Sequence, residues 1–143
     1  MGKKDSKIVI QQSEVQLPIA DGGIKAGFAS PAQDYLESSI DLNKELIRNP
    51  SSTFFGRVSG DSMSGAGIDD GDILVIDKSL DARNGDIAVC FVNGEFTLKR
   101  IEFKDDQVWL IPANPKYKII KVDKDEEFMI WGVITYTIKK IKK

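Results

Sequence analysis

The chain contains no histidine and a single cysteine, Cys90. Ser-His-Asp and Cys-His catalysis both need an imidazole, so both are excluded. Zinc fingers and zinc hydrolase sites draw several ligands from His and Cys, and a disulfide framework needs at least two cysteines. No metal and no cofactor is expected. There is no excess of positive charge either: 20 Lys and Arg stand against 22 Asp and Glu. A surface for reading nucleic acid would show in that balance, so direct sequence-specific DNA binding is not expected. Long apolar runs are also missing. None approaches the ~18 residues that a membrane span needs. The opening MGKKDSKIVIQQSEVQLPI has early lysines but no unbroken apolar stretch of signal-peptide length. The expected location is cytoplasmic, away from membranes, and a lone thiol agrees.

What is present is ordinary globular material: 143 residues, 41% hydrophobic and 29% charged. That length accommodates one compact domain with a core of its own, together with a loose arm. Residues 1–30 read as the arm. Pro18, Gly22, Gly23, Gly27 and Pro31 crowd one stretch and disfavour helix and long strand alike. Val15, Leu17, Ile19, Ile24 and Phe28 are interleaved with them, as in a segment that docks in extended form. From 31 to 143 the pattern is that of a folded domain. Tyr35, Leu36 and Ile40 are spaced for one short helix. Leu42, Leu46 and Ile47 are spaced for another, capped by Ser39 or Asp41 and ended at Asn49-Pro50.

Beyond Pro50 the period becomes strand-like. TFFGRVSG, DILVID, DIAVCFVN, EFTLKRIEF, QVWLIPA and FMIWGVITYTI are rich in β-branched and aromatic residues and are separated by turn residues. Asn93-Gly94 predicts a two-residue hairpin, because a type I′ turn needs positive φ at both central positions. The whole predicts a mostly β domain with a curved antiparallel sheet. Cys90, Trp109 and Trp131 fall in strand patterns: the cysteine reads as buried, the tryptophans as core or dimer-interface residues. The terminal TIKKIKK reads as a solvated tail or as a partner contact.

One segment has the composition of a reactive loop. In VSGDSMSGAGIDDGDILVID, Ser62 follows a strand pattern and is surrounded by Gly60, Gly65, Gly67 and Gly71. Such a loop bends sharply, presents a hydroxyl and exposes backbone N–H groups that can hold an oxyanion. Asp61 reads as a turn former. Met63 reads either as lining a substrate groove or as a core plug. Without histidine, the base for a serine is a lysine, a carboxylate or an amino terminus. Lys99 lies within the strand GEFTLKRIEF and shares a face with Glu95, Thr97 and Ile101. Holding a lysine neutral at pH 7 requires about 4.6 kcal/mol, from ~3.4 units at ~1.36 kcal/mol each, and an apolar setting can supply it. Thr97 is placed to hydrogen-bond the amine and aim it. Strand lysines commonly point to water, so spacing alone leaves both placements open.

The order of these pieces resembles the LexA-like (S24) self-cleaving serine peptidases, and among them the UmuD-like proteins. The matching text runs AGFASPAQDYLESSIDLNKELIRNPSSTFF, SGDSM, GI, DGDILVID, GDI, NGEFTLKRI, LIPANPKY and WGVI, over about residues 25–134. The resemblance implies a LexA/signal-peptidase-like, β-clip-like sheet with short N-terminal helices and an extended arm. It implies Ser62 as nucleophile, Lys99 as general base and Ala26–Gly27 as the scissile bond, with amides around Ser62 and Met63 as the oxyanion donors. It implies a homodimer, self-cleavage stimulated by a RecA filament on single-stranded DNA, and an UmuC-like Y-family polymerase as partner in translesion synthesis. Two other functions fit the same pattern. One is a full-length protein that regulates the polymerase without cleavage. The other is a Ser-Lys peptidase acting in trans. Only 26 residues precede the implied bond, which is too short for a repressor's helix-turn-helix domain. Signal peptidases share the Ser-Lys logic but need a membrane anchor.

Overall fold

The structure is a computed structural model that describes residues 15–19 and 38–143. Ile24, Ala26, Gly27 and Phe28, named above for the arm and the scissile bond, lie outside the described residues, as do Tyr35 and Leu36. The chain divides into two compact units, 1–45 and 46–143.

In the first unit, strand β1 (Gln16–Ile19) pairs antiparallel with β2 (Ser38–Asp41), and Leu17 stands opposite Ile40. Val15 and Leu17 are exposed. The expected helix through Ile40 is not formed, since Ser38–Asp41 is strand. Pairing with a segment about twenty residues earlier overrides a helical spacing carried by only three apolar residues. The second helix is formed. Helix α1 (Leu42–Leu46) begins at Asp41, whose Oδ1 accepts from the Asn43 N–H at 3.0 Å. That is an N-cap bond to one of the helix's otherwise unpaired donors.

The second unit is one antiparallel sheet of seven strands. These are β3 (Thr53–Arg57), β4 (Ile73–Asp77), β5 (Ile87–Val92), β6 (Glu95–Lys104), β7 (Gln107–Ile111), β8 (Ile120–Val122) and β9 (Phe128–Ile138). Their order is β3-β4-β9-β5-β6-β7-β8, so β9 joins a β3–β4 hairpin to a β5–β8 meander. The β5–β6 hairpin turns at Asn93 (φ 48°) and Gly94 (φ 87°), both in the left-handed region that a type I′ turn demands.

The continuous apolar run of β5 has a structural reason, because both faces of that strand are covered. Ile87 and Val89 pack on a core of Met63, Ile68, Leu74 and Ile76, whereas Ala88 and Cys90 join Ile101 and Leu110 in a second core. Trp131 packs between Phe54 and Phe96, with Lys78 Nζ 4.7 Å from its ring centre. Two carboxylates are buried at the ends of β4. Asp77 accepts from Asn49, Ser52 and Ser79. Asp72 accepts from Lys139 Nζ at 2.6 Å, and Asp69 binds the same amine at 2.7 Å. The first lysine of the terminal cluster is thus an anchor, while the side chains beyond it are exposed.

Candidate active site

The segment after β3 forms the serine loop. Met63 is 1% exposed and plugs the first core, which pins the residue next to Ser62. Burial of such a side chain is worth about 1.5–3 kcal/mol. Met63 also borders a cleft of about 400 Å³ lined by Val58, Ser62, Phe96, Thr97 and Leu98. The core reading of Met63 thus describes its burial, and the same residue also borders the cleft.

Three residues beyond β7 hold this loop from outside. The Ala113 N–H donates to the Ser62 carbonyl at 2.8 Å, and the Gly65 N–H donates to the Ala113 carbonyl at 2.7 Å. The approach is so close that a Cβ on Gly65 would lie 2.4 Å from the Ala113 oxygen, which requires glycine there. Asn114 Nδ2 donates to the Asp61 carbonyl at 2.9 Å, and the Tyr117 hydroxyl donates to Asp61 Oδ1 at 2.5 Å. Tyr117 keeps its proton above the ordinary phenol range because that proton is bound by the Asp61 carboxylate. No hydrogen bond among the described residues engages the backbone N–H of Ser62 or of Met63.

Strand β6 delivers the amine. Lys99 is 6% exposed, and its Nζ lies 3.2 Å from Ser62 Oγ, 2.8 Å from Thr97 Oγ1 and 3.0 Å from the Leu98 carbonyl. Burial pushes its pKa below the ordinary lysine value; the Cys90 thiol on the facing strand acts weakly in the opposite direction. Cys90 itself is buried, and its thiol is pushed up to about 12, mainly by burial. A neutral amine has two N–H donors and one lone pair. The three contacts are met either by an ammonium donating to all three, or by a neutral amine that donates to Thr97 and Leu98 and accepts from the Ser62 hydroxyl. Burial disfavours the ammonium and so favours the second arrangement.

The structure thus brings Ser62, Met63, Thr97 and Lys99 together. Ala26 and Gly27 lie outside the described residues. Sequence reasoning missed the grip of Ala113, Asn114 and Tyr117. Their segment, LIPANPKY, was legible only as matching text. Among the described residues no cluster of His, Cys, Asp and Glu is arranged to hold a metal, and no helix is long and apolar enough to cross a membrane.

A curved antiparallel sheet with a serine loop against a buried strand lysine has the architecture of a LexA-like fold. Residues 18–135 match the family described as Peptidase S24-like. The chain is 42% identical over 134 residues to Protein SamA of Salmonella typhimurium, covering 92% of this chain and 93% of SamA. It is 43% identical over 116 residues to Protein MucA of Escherichia coli, covering 80% of this chain and 79% of MucA. It is 38% identical over 128 residues to LexA repressor 1 of Pseudomonas syringae pv. tomato, covering 89% of this chain and 62% of the repressor. The chain belongs to the Peptidase S24-like family, and its resemblance to the UmuD-like branch is borne out by these relatives.

Proposed function

We propose that this chain is an SOS-response, UmuD-like protein that cuts its own backbone between Ala26 and Gly27. Its cleaved form is then a dimeric, cytoplasmic subunit of an error-prone translesion polymerase. In this reading residues 1–30 are the arm and 31–143 the peptidase and dimerisation domain. The observation that carries it is the 3.2 Å approach of a buried Lys99 Nζ to Ser62 Oγ.

Neutral Lys99 takes the Ser62 proton as Oγ attacks the Ala26 carbonyl. The oxyanion is met by N–H groups of the Ser62–Met63 loop. The C–N bond to Gly27 breaks, Lys99 returns the proton to the Gly27 amine, and water hydrolyses the acyl-serine. Small side chains on both sides of the bond suit a narrow cleft. Because the substrate belongs to the same molecule, little translational entropy is lost on binding. Control then lies in presentation of the arm, and the RecA filament on single-stranded DNA is the stimulus. The polymerase partner is UmuC-like, of the Y family.

Incubation of the purified chain at alkaline pH, and at neutral pH with a RecA–ssDNA filament, tests this directly by product mass. The expected product begins at Gly27 and is absent from Ser62→Ala and Lys99→Ala. An intact wild-type chain under both conditions sinks the proposal and favours a cleavage-independent regulator. Cleavage of Ser62→Ala by an arm-deleted active chain would establish action in trans.

A further inference from the structure

The residue before Ser62 is fastened twice from one segment. The Asp61 carbonyl is held by Asn114 and its carboxylate by Tyr117, across more than fifty positions of sequence. Asp61 is half-buried and Tyr117 is partly exposed, so the contact is not a buried structural pair. Consecutive Cα atoms are only ~3.8 Å apart, so whatever sets Asp61 also sets Ser62.

The carboxylate raises a second problem. An anion next to an amine favours the ammonium form, which is useless as a base. The groups facing Lys99 are Thr97 and the Leu98 carbonyl on its own strand, Cys90 on β5 and the Ser62 hydroxyl on the loop. Among the described residues Lys99 makes no ion pair with Asp61, although Asp61 is adjacent to Ser62 in the chain. The phenol of Tyr117 engages Asp61 elsewhere.

We propose that Tyr117 is a positioning residue that holds the Asp61 carboxylate away from Lys99 while fixing the Ser62 backbone, with Asn114 as the second fastening. This deepens the reading of Ser62 and Lys99 as nucleophile and base, and rests on it. Two effects separate on mutation. Loss of the phenol loosens the loop and lowers the rate at every pH. It also frees a negative charge that raises the pH at which Lys99 becomes a base.

The test is the self-cleavage rate of the full chain from about pH 7 to 9, below the ordinary phenol range, with thermal unfolding measured on each variant. Tyr117→Phe is expected to cleave about tenfold more slowly at neutral pH and to move the half-maximal pH upward. Adding Asp61→Asn to Tyr117→Phe removes the charge and should return the half-maximal pH to the wild-type position. Asp61→Asn alone keeps the acceptor oxygen and should cleave within about threefold of wild type. Tyr117→Phe with a wild-type rate and pH profile overturns the proposal, as does a shift that Asp61→Asn does not reverse. If Tyr117→Phe does not fold, Asn114→Ala with the same rate measurement decides: a wild-type rate overturns the fastening. Ser62→Ala, run in parallel, reports on the underlying reading alone, because cleavage by that variant would sink it whatever Tyr117 does.

Discussion

Thr97 Oγ1 lies 2.8 Å from Lys99 Nζ, two residues along the same face of β6. Strand periodicity places the hydroxyl there without any help from distant parts of the chain. In the neutral amine the consequence is directional: Thr97 and the Leu98 carbonyl accept its two protons and the lone pair is left for Ser62. Thr97→Val keeps the shape and removes the acceptor. It is expected to lower self-cleavage about tenfold while changing stability by about 1 kcal/mol. Thr97→Ser should restore the rate, measured by appearance of the Gly27 fragment.

Lys99 should make the fold less stable near neutral pH. Its pKa in the folded chain is depressed by burial below the ordinary 10.5. Between the folded and unfolded values the unfolded chain binds more protons, so stability rises with pH across that window. In a Ser62→Ala background, which lacks the proposed nucleophile, Lys99→Met should raise stability at pH 7 by about 1–2 kcal/mol. That gain should shrink as the pH rises through 10.5, the ordinary lysine value, above which both states are neutral. Urea unfolding at several pH values measures it, and a pH-independent gain would contradict it.

Gly65→Ala should damage the site more than the fold. The new Cβ would meet the Ala113 carbonyl at 2.4 Å, and backbone cannot yield as a side-chain tip can. One of the two bonds between the serine loop and Ala113 must then open. The expected loss is about 1–3 kcal/mol of stability and most of the self-cleavage, compared in the same preparation.

Asp77 gives the fold an acid limit. The Ser79 hydroxyl, then Asn49, then the Ser79 N–H and Ser52 hold its carboxylate at a pKa of about 2, against the opposing effect of burial. Its folded value lies below the ordinary 3.8. The stabilisation is therefore complete above about pH 4 and is lost as pH falls through about 2. After screening by solvent it amounts to about 1–2 kcal/mol. Asp77→Asn should be less stable than wild type at pH 6, and the two should converge near pH 2 in acid-unfolding titrations.

Much of this architecture is written locally. The strands β3, β4, β5, β6, β7 and β9 fall on the apolar runs picked out by period and turn residues, and Asn93-Gly94 turns as those residue types require. Ser62 and Lys99 were legible as a pair only through the family resemblance, because the absence of histidine leaves several bases open and strand spacing alone does not say whether Lys99 points inward. What was not legible depends on distant partners. Ile40 has a helix-like spacing, but it pairs with Leu17. Strand β8 has three residues, too few to show a period. The grip of Asn114 and Tyr117 on Asp61 spans more than fifty positions, and a local pattern carries no trace of it.

The place of β9 between β4 and β5 has a consequence in time. The Ser62 loop leaves the β3–β4 hairpin, and Lys99 belongs to the meander; within the sheet, the last strand alone joins these halves. On the ribosome, a chain that has emerged only as far as Val122 holds both Ser62 and Lys99 but not the strand that unites their sheet. Domains fold as units once their non-local partners are available. The meeting of the serine loop with Lys99 thus waits until β9 has been translated.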